Sequence, residues 1–235
     1  MGRSAPYNHF MFDYGAVYED SRLRTTELIR DLTKDQLVRS VPACPDWTAT
    51  DLIAHVVGVT SDFAAGNVGA AGSDEWTASQ IGARRDRSID ELLTEWEETG
   101  SMVAQNISSL PRTYSGLLTG DLAVHEQDLR GAVDQPGARD SLAVKAGLDT
   151  YAFRFKRKVE GAGLPGVVVT DGDNEWRAGE GEPAATVRGD GFELFRALTG
   201  RRTAEEIERL EWTGDPAPFV PVFPLYGTPD HSLGE

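Results

Sequence analysis

The sequence predicts an α+β protein, in which a bundle of four helices precedes a small mixed α/β domain. In the first half of the chain, apolar residues recur at spacings of three and four, as in amphipathic helices. Later, short β-branched runs alternate with glycine-rich turns, which is typical of strands. The breaker cluster Gln135-Pro136-Gly137 separates the two patterns, so we expect domains at residues 1–137 and 138–235.

Composition excludes several classes of protein. Lys and Arg total 23 against 38 Asp and Glu, and no basic cluster rich in aromatic residues occurs, so we expect no nucleic-acid partner. No apolar run approaches the ~18 residues of a membrane span, and the first residues lack a signal-peptide pattern, which favours a cytoplasmic protein. The single cysteine, Cys44, excludes an intramolecular disulfide and a cysteine-rich zinc site. Any metal ligands must therefore be His, Asp or Glu.

The first two helices follow from periodicity and from capping signals. Apolar residues on one stripe predict helix one over roughly residues 11 to 32: Tyr14, Val17, Tyr18, Leu28, Ile29 and Leu32. The stretch CPDWTATDLIAHVVG, residues 44–58, predicts the start of helix two. Thr48 and Asp51 have the spacing of a capping box, and Trp47 and Leu52 that of a hydrophobic staple.

Helices three and four follow a loop rich in Gly, Ala and Ser, AAGNVGAAGSDE. Ser88 and Glu91 have capping-box spacing at the start of helix three. Helix four is predicted from about Leu117 to Val133, because the breaker cluster follows it directly.

The second domain begins with a predicted helix near residues 141 to 158. Three short strands should follow, around a turn at Thr170-Asp171-Gly172-Asp173-Asn174 and then at Ala184–Val187. The two aspartates read as turn residues rather than calcium ligands, because the closing glutamate of an EF-hand is missing. Asp190 and Glu193 frame one more helix, which should end at Gly200, and the tail PAPFVPVFPL is expected to be extended.

Two helix-borne histidines suggest a metal site. His125 lies within the apolar stripe of helix four, and Asp121 lies one turn before it, so the two side chains can bind the same ion. His55 borders the apolar face of helix two and would complete a set of two histidines and one carboxylate inside a bundle. The alternative interpretation is two core histidines, each hydrogen-bonded to a carboxylate or a carbonyl.

The other reactive side chains are weaker candidates. His9 and His231 lie in terminal segments, so we leave both out of the site. Cys44 precedes His55 by eleven positions, with about two helical turns between them, and should not reach the ion.

The segment VPACPDWTATDLIAHVVG resembles the start of the metal-binding domain of mycothiol-dependent maleylpyruvate isomerases and their DinB/YfiT-like relatives. The family pattern Asp-Leu-x-x-His is similar to the residues from Asp51 to His55. The family pattern Glu-x-x-x-His corresponds to Asp121 through His125, where an aspartate stands in place of the glutamate. VRGDGFELFRALTGRR resembles the family's small C-terminal domain, which has a sterol-carrier-like α/β fold.

The resemblance implies a metal site of His55, Asp121 and His125, with zinc as the expected ion, and mycothiol as cosubstrate. The external thiolate would add to a cis double bond of a small unsaturated keto acid, and elimination after rotation would leave the trans isomer. Arg201 is the best match to the family's catalytic arginine and Arg85 is a second candidate, whereas the alternative for both is solvated surface charge. Other activities left open are a mycothiol S-transferase acting on electrophiles and a non-catalytic metal- or lipid-binding protein.

Overall fold

The structure, a computed structural model, describes residues 11–235, so His9 and the other residues before Met11 lie outside it. The chain divides into two compact units, Asp13–Gly137 and Ala138–Gly234. Helices dominate the first unit, and helices with a four-stranded sheet form the second, which confirms the α+β class. None of the described helices is both long enough and apolar enough to cross a membrane.

The first unit is a helical bundle with one small hairpin. Its helices are α1 (Tyr14–Arg30), α2 (Lys34–Leu37), α3 (Ala49–Ala65), α4 (Asp74–Gly82), α5 (Ile89–Asn106) and α6 (Arg112–Ala132). The hairpin consists of β1 (Ser40–Val41) and β2 (Cys44–Thr48), which pair antiparallel and lead directly into α3. The four predicted helices correspond to α1, α3, α5 and α6.

The predicted capping boxes are present at the starts of α3 and α5. The Thr48 hydroxyl accepts a hydrogen bond from the Asp51 amide at 3.2 Å, and the Asp51 carboxylate accepts one from the Thr48 amide at 2.9 Å. Ser88 and Glu91 make the same reciprocal pair. These bonds satisfy amide groups that would otherwise lack partners at a helix start, so they fix where α3 and α5 begin.

Helix α4 was not predicted, α1 is shorter at both ends than the predicted 11 to 32, and α6 begins earlier than predicted. Helix α4 begins inside the predicted loop, where Ser73 caps it and Trp76 and Ile81 are buried. Helix α6 begins at Arg112 rather than near Leu117, because Pro111 precedes it and its first turn carries no apolar periodicity.

The core of the bundle forms where α3 packs against α5 and α6 and where α1 packs against the same two helices. The side chains buried there include Tyr18, Ile29, Leu52, Val57, Leu92, Trp96, Ile107, Leu118, Leu122 and Leu129. Thr60 on α3 hydrogen-bonds the Tyr18 hydroxyl at 2.8 Å and accepts from the Trp96 indole at 3.0 Å. One hydroxyl thus joins α1, α3 and α5 inside the core.

The second unit packs helices on a mixed sheet. Its helices are α7 (Leu142–Gly161), α8 (Gly191–Leu198) and α9 (Ala204–Glu208). Its strands are β3 (Val167–Thr170), β4 (Glu175–Ala178), β5 (Ala185–Arg188) and β6 (Glu211–Gly214), in the order β4-β3-β5-β6. Strands β3 and β5 are parallel, and the other neighbours are antiparallel. The predicted strands correspond to β3, β4 and β5.

The C-terminal part of the second unit differs from the prediction. Strand β6 was not predicted, and the tail is not extended, because a 3₁₀ turn at Val220–Val222 buries Phe219 and Phe223. Asp190 caps α8 as predicted, but the Glu193 carboxylate pairs with Arg202 instead of closing a capping box.

Gly200 ends α8 as predicted. Its φ of 78° is left-handed, and a Cβ there would lie 2.3 Å from the carbonyl oxygen of Gly227.

Candidate metal centre

Helices α3 and α6 bring together the three predicted ligands within the first unit. His55 lies on the second turn of α3, whose start is fixed by the Thr48 cap, and Asp121 and His125 lie one turn apart on α6. One potential ligand atom from each of the three lies within 4.8 Å of the others. The imidazole centroids of His55 and His125 are 5.0 Å apart, with the rings edge to face.

The distance between Asp121 and His125 fits a shared ion. Oδ1 of Asp121 lies 3.6 Å from Nε2 of His125. Two ligands bound tetrahedrally to zinc at ~2.0–2.1 Å are about 3.3 Å apart, so little movement is needed. Both imidazoles are buried, whereas the Asp121 side chain is 37% exposed, which leaves the site reachable from solvent on that side.

The second nitrogen of the His125 ring is occupied by a carboxylate. Nδ1 of His125 lies 3.2 Å from Oδ2 of Asp128, which is buried one turn further along α6. An ionised carboxylate only accepts hydrogen bonds, so this contact favours the tautomer with its proton on Nδ1. In that tautomer the lone pair of Nε2 faces the Asp121 oxygen, and two acceptors at this distance attract a cation between them. This donor set therefore fits a divalent metal ion.

His55 is held neutral by its surroundings. Burial, and next the neighbouring His125, lower the pKa of His55 to about 4, against smaller opposing effects of Asp121 and of the Gln80 side chain. Its Nδ1 atom is buried and has no hydrogen-bond partner in the described part of the chain. At neutral pH the ring therefore has a free lone pair, which is the form that binds metals.

Gln80 on α4 is a buried neighbour of this histidine. Its amide nitrogen donates to Asp62 at 2.8 Å, which fixes the orientation of the amide. Its Oε1 atom has no partner among residues 11–235, and although the side chain raises the pKa of His55, no hydrogen bond of good geometry joins the two. The side chain lies against Gly58, where a Cβ would come within 2.5 Å of it.

Trp47 forms an aromatic wall beside both histidines. Its ring centroid lies 5.1 Å from that of His55 and 6.5 Å from that of His125. Trp47 is the penultimate residue of β2 and directly precedes the Thr48 cap. The hairpin and the cap therefore place the indole at the site together.

The arginines near α4 are largely engaged elsewhere. Arg84 and Arg87 both pair with the half-buried carboxylate of Glu95, which also accepts from Ser61 at 2.5 Å. Burial raises the pKa of Glu95, but the hydrogen bonds from Arg84 and Ser61 outweigh it and lower the pKa overall. Arg85 is exposed, and its side chain makes no ion pair with the described residues.

The best-matching arginine candidate, Arg201, lies in the second unit. Arg201 is half-buried and follows Gly200 at the end of α8, where its guanidinium donates to the Thr199 carbonyl at 2.6 Å. Its neighbour Arg202 makes a two-pronged ion pair with Glu193, which indicates a structural role. His231 is exposed near the C-terminus.

The sequence analysis assigned no role at the metal site to Asp128, to Gln80 or to the Trp47 ring. Asp128 had a signal, because it lies three residues after His125 and so on the same face of the helix. Gln80 had no local signal, since α4 was not predicted and the packing of α3 and α4 is a tertiary feature.

Comparison with known proteins identifies relatives of both the sequence and the fold. Residues 18–130 match the family model described as the mycothiol maleylpyruvate isomerase N-terminal domain. The crystal structure of the mycothiol-dependent maleylpyruvate isomerase has a similar fold, with a TM-score of 0.55 and 16% sequence identity. The structure of a histidine-to-alanine mutant of that enzyme gives a TM-score of 0.56 at 16% identity. Each likeness covers 86% of this chain and 92% of the other. None of the curated proteins compared with the chain matches it.

Proposed function

We propose, because residues 18–130 match the model of the mycothiol maleylpyruvate isomerase N-terminal domain, that this protein is a metal-dependent enzyme with mycothiol as cosubstrate. The observation that carries the proposal is that ligand atoms of His55, Asp121 and His125 lie within 4.8 Å of one another, beside the ring of Trp47. Two imidazoles and one carboxylate are a usual ligand set for zinc in a catalytic site. Isomerisation of a small unsaturated keto acid is the activity that this match favours.

The three side chains would hold the ion and leave further coordination positions open. When bound, the ion supplies Lewis-acid stabilisation of a thiolate at neutral pH. The chain contributes a neutral His55, whose pKa of about 4 avoids competition from protons, and the half-exposed side of Asp121, through which small molecules can enter. Trp47 borders the site beside both imidazole rings.

The proposed isomerisation is an addition followed by an elimination. The sulfur of the external thiolate forms a bond to one carbon of the cis double bond, and the π electrons move to the conjugated carbonyl oxygen. Rotation then takes place about the new single bond. Return of the electron pair re-forms the double bond as trans and releases the thiolate, so the thiol is not consumed.

An anionic keto acid needs a positive group, since the chain as a whole carries a formal charge of -15. Arg201 and Arg85 are the proposed groups, because the family resemblance favours Arg201 and because Arg85 has no acidic partner among the described residues. Replacing Arg201 by alanine should then raise the KM for the keto acid, with Arg209→Ala as a control on an exposed arginine of the same unit.

A second activity, S-transfer of mycothiol to electrophiles, is favoured by one observation. Glu95 engages Arg84 and Arg87, so two of the three cations that follow the glycine-rich loop are not available to bind a substrate anion. A neutral electrophile needs no such group. In this reaction the sulfur displaces a leaving group, and the thioether departs as product.

The experiment that tests both activities is turnover with and without mycothiol. A cis-configured unsaturated keto acid and a simple electrophile would be assayed with the wild type, Cys44→Ser and His125→Ala. We expect thiol-dependent turnover by the wild type and by Cys44→Ser, and none by His125→Ala. Turnover of the keto acid supports the isomerase, and conjugation of the electrophile alone supports the transferase. Turnover without added thiol contradicts both.

A further inference from the structure

We propose that Asp128 is a positioning residue, which fixes the tautomer and the orientation of the His125 ring so that Nε2 faces the metal site. The inference rests on the proposed function for its purpose, because an oriented Nε2 matters only if this atom binds an ion. Its geometric basis is independent: residues on the same helix flank both nitrogens of the ring, Asp121 at 3.6 Å from Nε2 and Asp128 at 3.2 Å from Nδ1.

The two carboxylates differ in their surroundings, and this difference separates their roles. The Asp121 side chain is 37% exposed and lies on the accessible side of the site, whereas the Asp128 side chain is fully buried. A buried carboxylate interacts strongly with a nearby donor because no water screens it. Asp128 is therefore the stronger acceptor for the ring proton, and Asp121 stays available to bind an ion.

The proton on Nδ1 determines what Nε2 can do. A neutral imidazole has one N–H donor and one acceptor nitrogen, so a proton held at Nδ1 leaves the lone pair on Nε2. Rotation of the ring would bring Nδ1 away from Asp128, and flipping the tautomer would break the same hydrogen bond. The contact thus selects both the ring orientation and the tautomer before any ion arrives.

His55 offers an internal comparison. Its Nδ1 atom is buried without a hydrogen-bond partner in the described part of the chain, so no such contact orients it. The two histidines of the site are therefore unequal: a carboxylate orients His125 at its outer nitrogen, whereas Nδ1 of His55 has no such partner among the described residues. Loss of an outer partner of a metal-binding histidine typically weakens metal binding by about 10- to 100-fold. We expect Asp128→Asn to fall in that range.

The test combines a spectrum of the metal-free protein with a measurement of zinc affinity. Nitrogen-15 NMR of full-length, metal-free protein at neutral pH reports the tautomer of each histidine, and His125→Gln assigns the His125 signals. In the wild type we expect the proton of His125 on Nδ1. In Asp128→Asn, whose amide can either donate or accept, we expect a mixture of tautomers and zinc affinity lower by about 10- to 100-fold in competition with a chelator.

Asp134→Asn is the matched control, because it makes the same chemical change six residues along, at an exposed carboxylate that pairs with Arg39. It should leave the tautomer and the zinc affinity unchanged. A proton on Nε2 in the wild type overturns the proposal, even if Asp128→Asn does not fold. So does an Asp128→Asn protein with the wild-type tautomer and affinity. If neither protein binds zinc, the proposed function fails, while the metal-free spectra still decide the role of Asp128.

Discussion

In the proposed tautomer, Nε2 of His125 and Oδ1 of Asp121 face each other as two acceptors 3.6 Å apart. The arrangement follows from three residues on one helix face, because the contact of Asp128 with Nδ1 favours the ring proton on that atom. A cation between these two atoms would be attracted by both, so the pair is suited to binding an ion.

Replacing Asp121 by asparagine should stabilise the metal-free protein and weaken its binding of zinc. The amide nitrogen can donate to Nε2 of His125, so we expect the metal-free variant to be more stable than the wild type by roughly 0.5–1.5 kcal/mol, the net value of one hydrogen bond. Zinc affinity should fall by more than about 100-fold, since a direct ligand is lost rather than an outer partner. Urea unfolding in the presence of chelator and a competition titration measure the two effects.

Asp121→Glu is the control for this substitution. It keeps the charge and adds one carbon of reach, so we expect the variant to retain zinc binding. Undiminished zinc affinity in Asp121→Asn would remove Asp121 from the ligand set.

The lowered pKa of His55 predicts how the metal-free protein responds to acid. The folded pKa is about 4 and the ordinary value is 6.5, so between these values the unfolded chain binds a proton that the folded chain does not. Stability should therefore fall as the pH drops from 6.5 to 4, by about 3 kcal/mol from this residue, and should be unaffected by it above that window.

His55→Gln, which cannot take up a proton, should lose correspondingly less stability than the wild type over the same range. Urea unfolding with chelator at pH 7.0, 5.5 and 4.5 measures the difference. Parallel losses in the two proteins would show that His55 is not buried in a neutral form.

At the scale of the helices, one buried hydroxyl joins three elements of the bundle. Thr60 on α3 contacts the Tyr18 hydroxyl and the Trp96 indole and also donates to its own helix at Val56. Burial raises the pKa of Tyr18 to about 12, against the smaller effects of its hydrogen bonds, so the hydroxyl remains protonated. Since α3 carries His55, this contact helps to hold that helix against α1 and α5.

Thr60→Val should be among the more destabilising small changes in the first unit. Valine has nearly the same shape but leaves two buried groups, the Tyr18 hydroxyl and the Trp96 N–H, without this partner. Each costs about 1–3 kcal/mol when unsatisfied, so we expect a loss of roughly 2–6 kcal/mol. Tyr18→Phe is the matched control and should cost less, because Thr60 keeps its other two contacts. Urea unfolding of both variants tests this order, and an equal or smaller loss for Thr60→Val would contradict it.

The start of α3 should depend on the Thr48 cap. Thr48→Ala removes the acceptor for the Asp51 amide, and we expect a loss of about 1 kcal/mol. Thr94→Ala, at an exposed threonine that bonds only to the carbonyl four residues before it, is the control and should change stability little. Thermal melts measure both variants. An unchanged melting temperature in Thr48→Ala would show that the cap does not fix the start of this helix.

How far the sequence predicted these elements depended on whether the signal was local. The caps at Thr48 and Ser88 and the apolar stripes of the long helices act within a few residues, and the structure has them. Helix α4 and strand β6 were missed because each is short, and what stabilises it is packing or pairing with a distant segment. The pairing of α3 with α6 was inferred from the ligand chemistry and from a family resemblance rather than from periodicity.

For the whole molecule, the fold is retained although most side chains differ. The likeness to a solved mycothiol-dependent maleylpyruvate isomerase covers 86% of the chain at only 16% identity. The family match ends at residue 130 and includes all three proposed ligands, whereas Arg201 lies in the second unit beyond it. The metal site can therefore be tested separately from the choice of substrate.

The most direct test of the central claim is the metal content of full-length protein purified without chelator. Elemental analysis should find one divalent ion per chain, expected to be zinc, in the wild type and in His231→Ala, which changes an exposed histidine outside the site. It should find none in His125→Ala or His55→Ala. A wild-type protein that binds no divalent metal even after zinc is added, or a His125→Ala protein that keeps a full equivalent, would contradict the account.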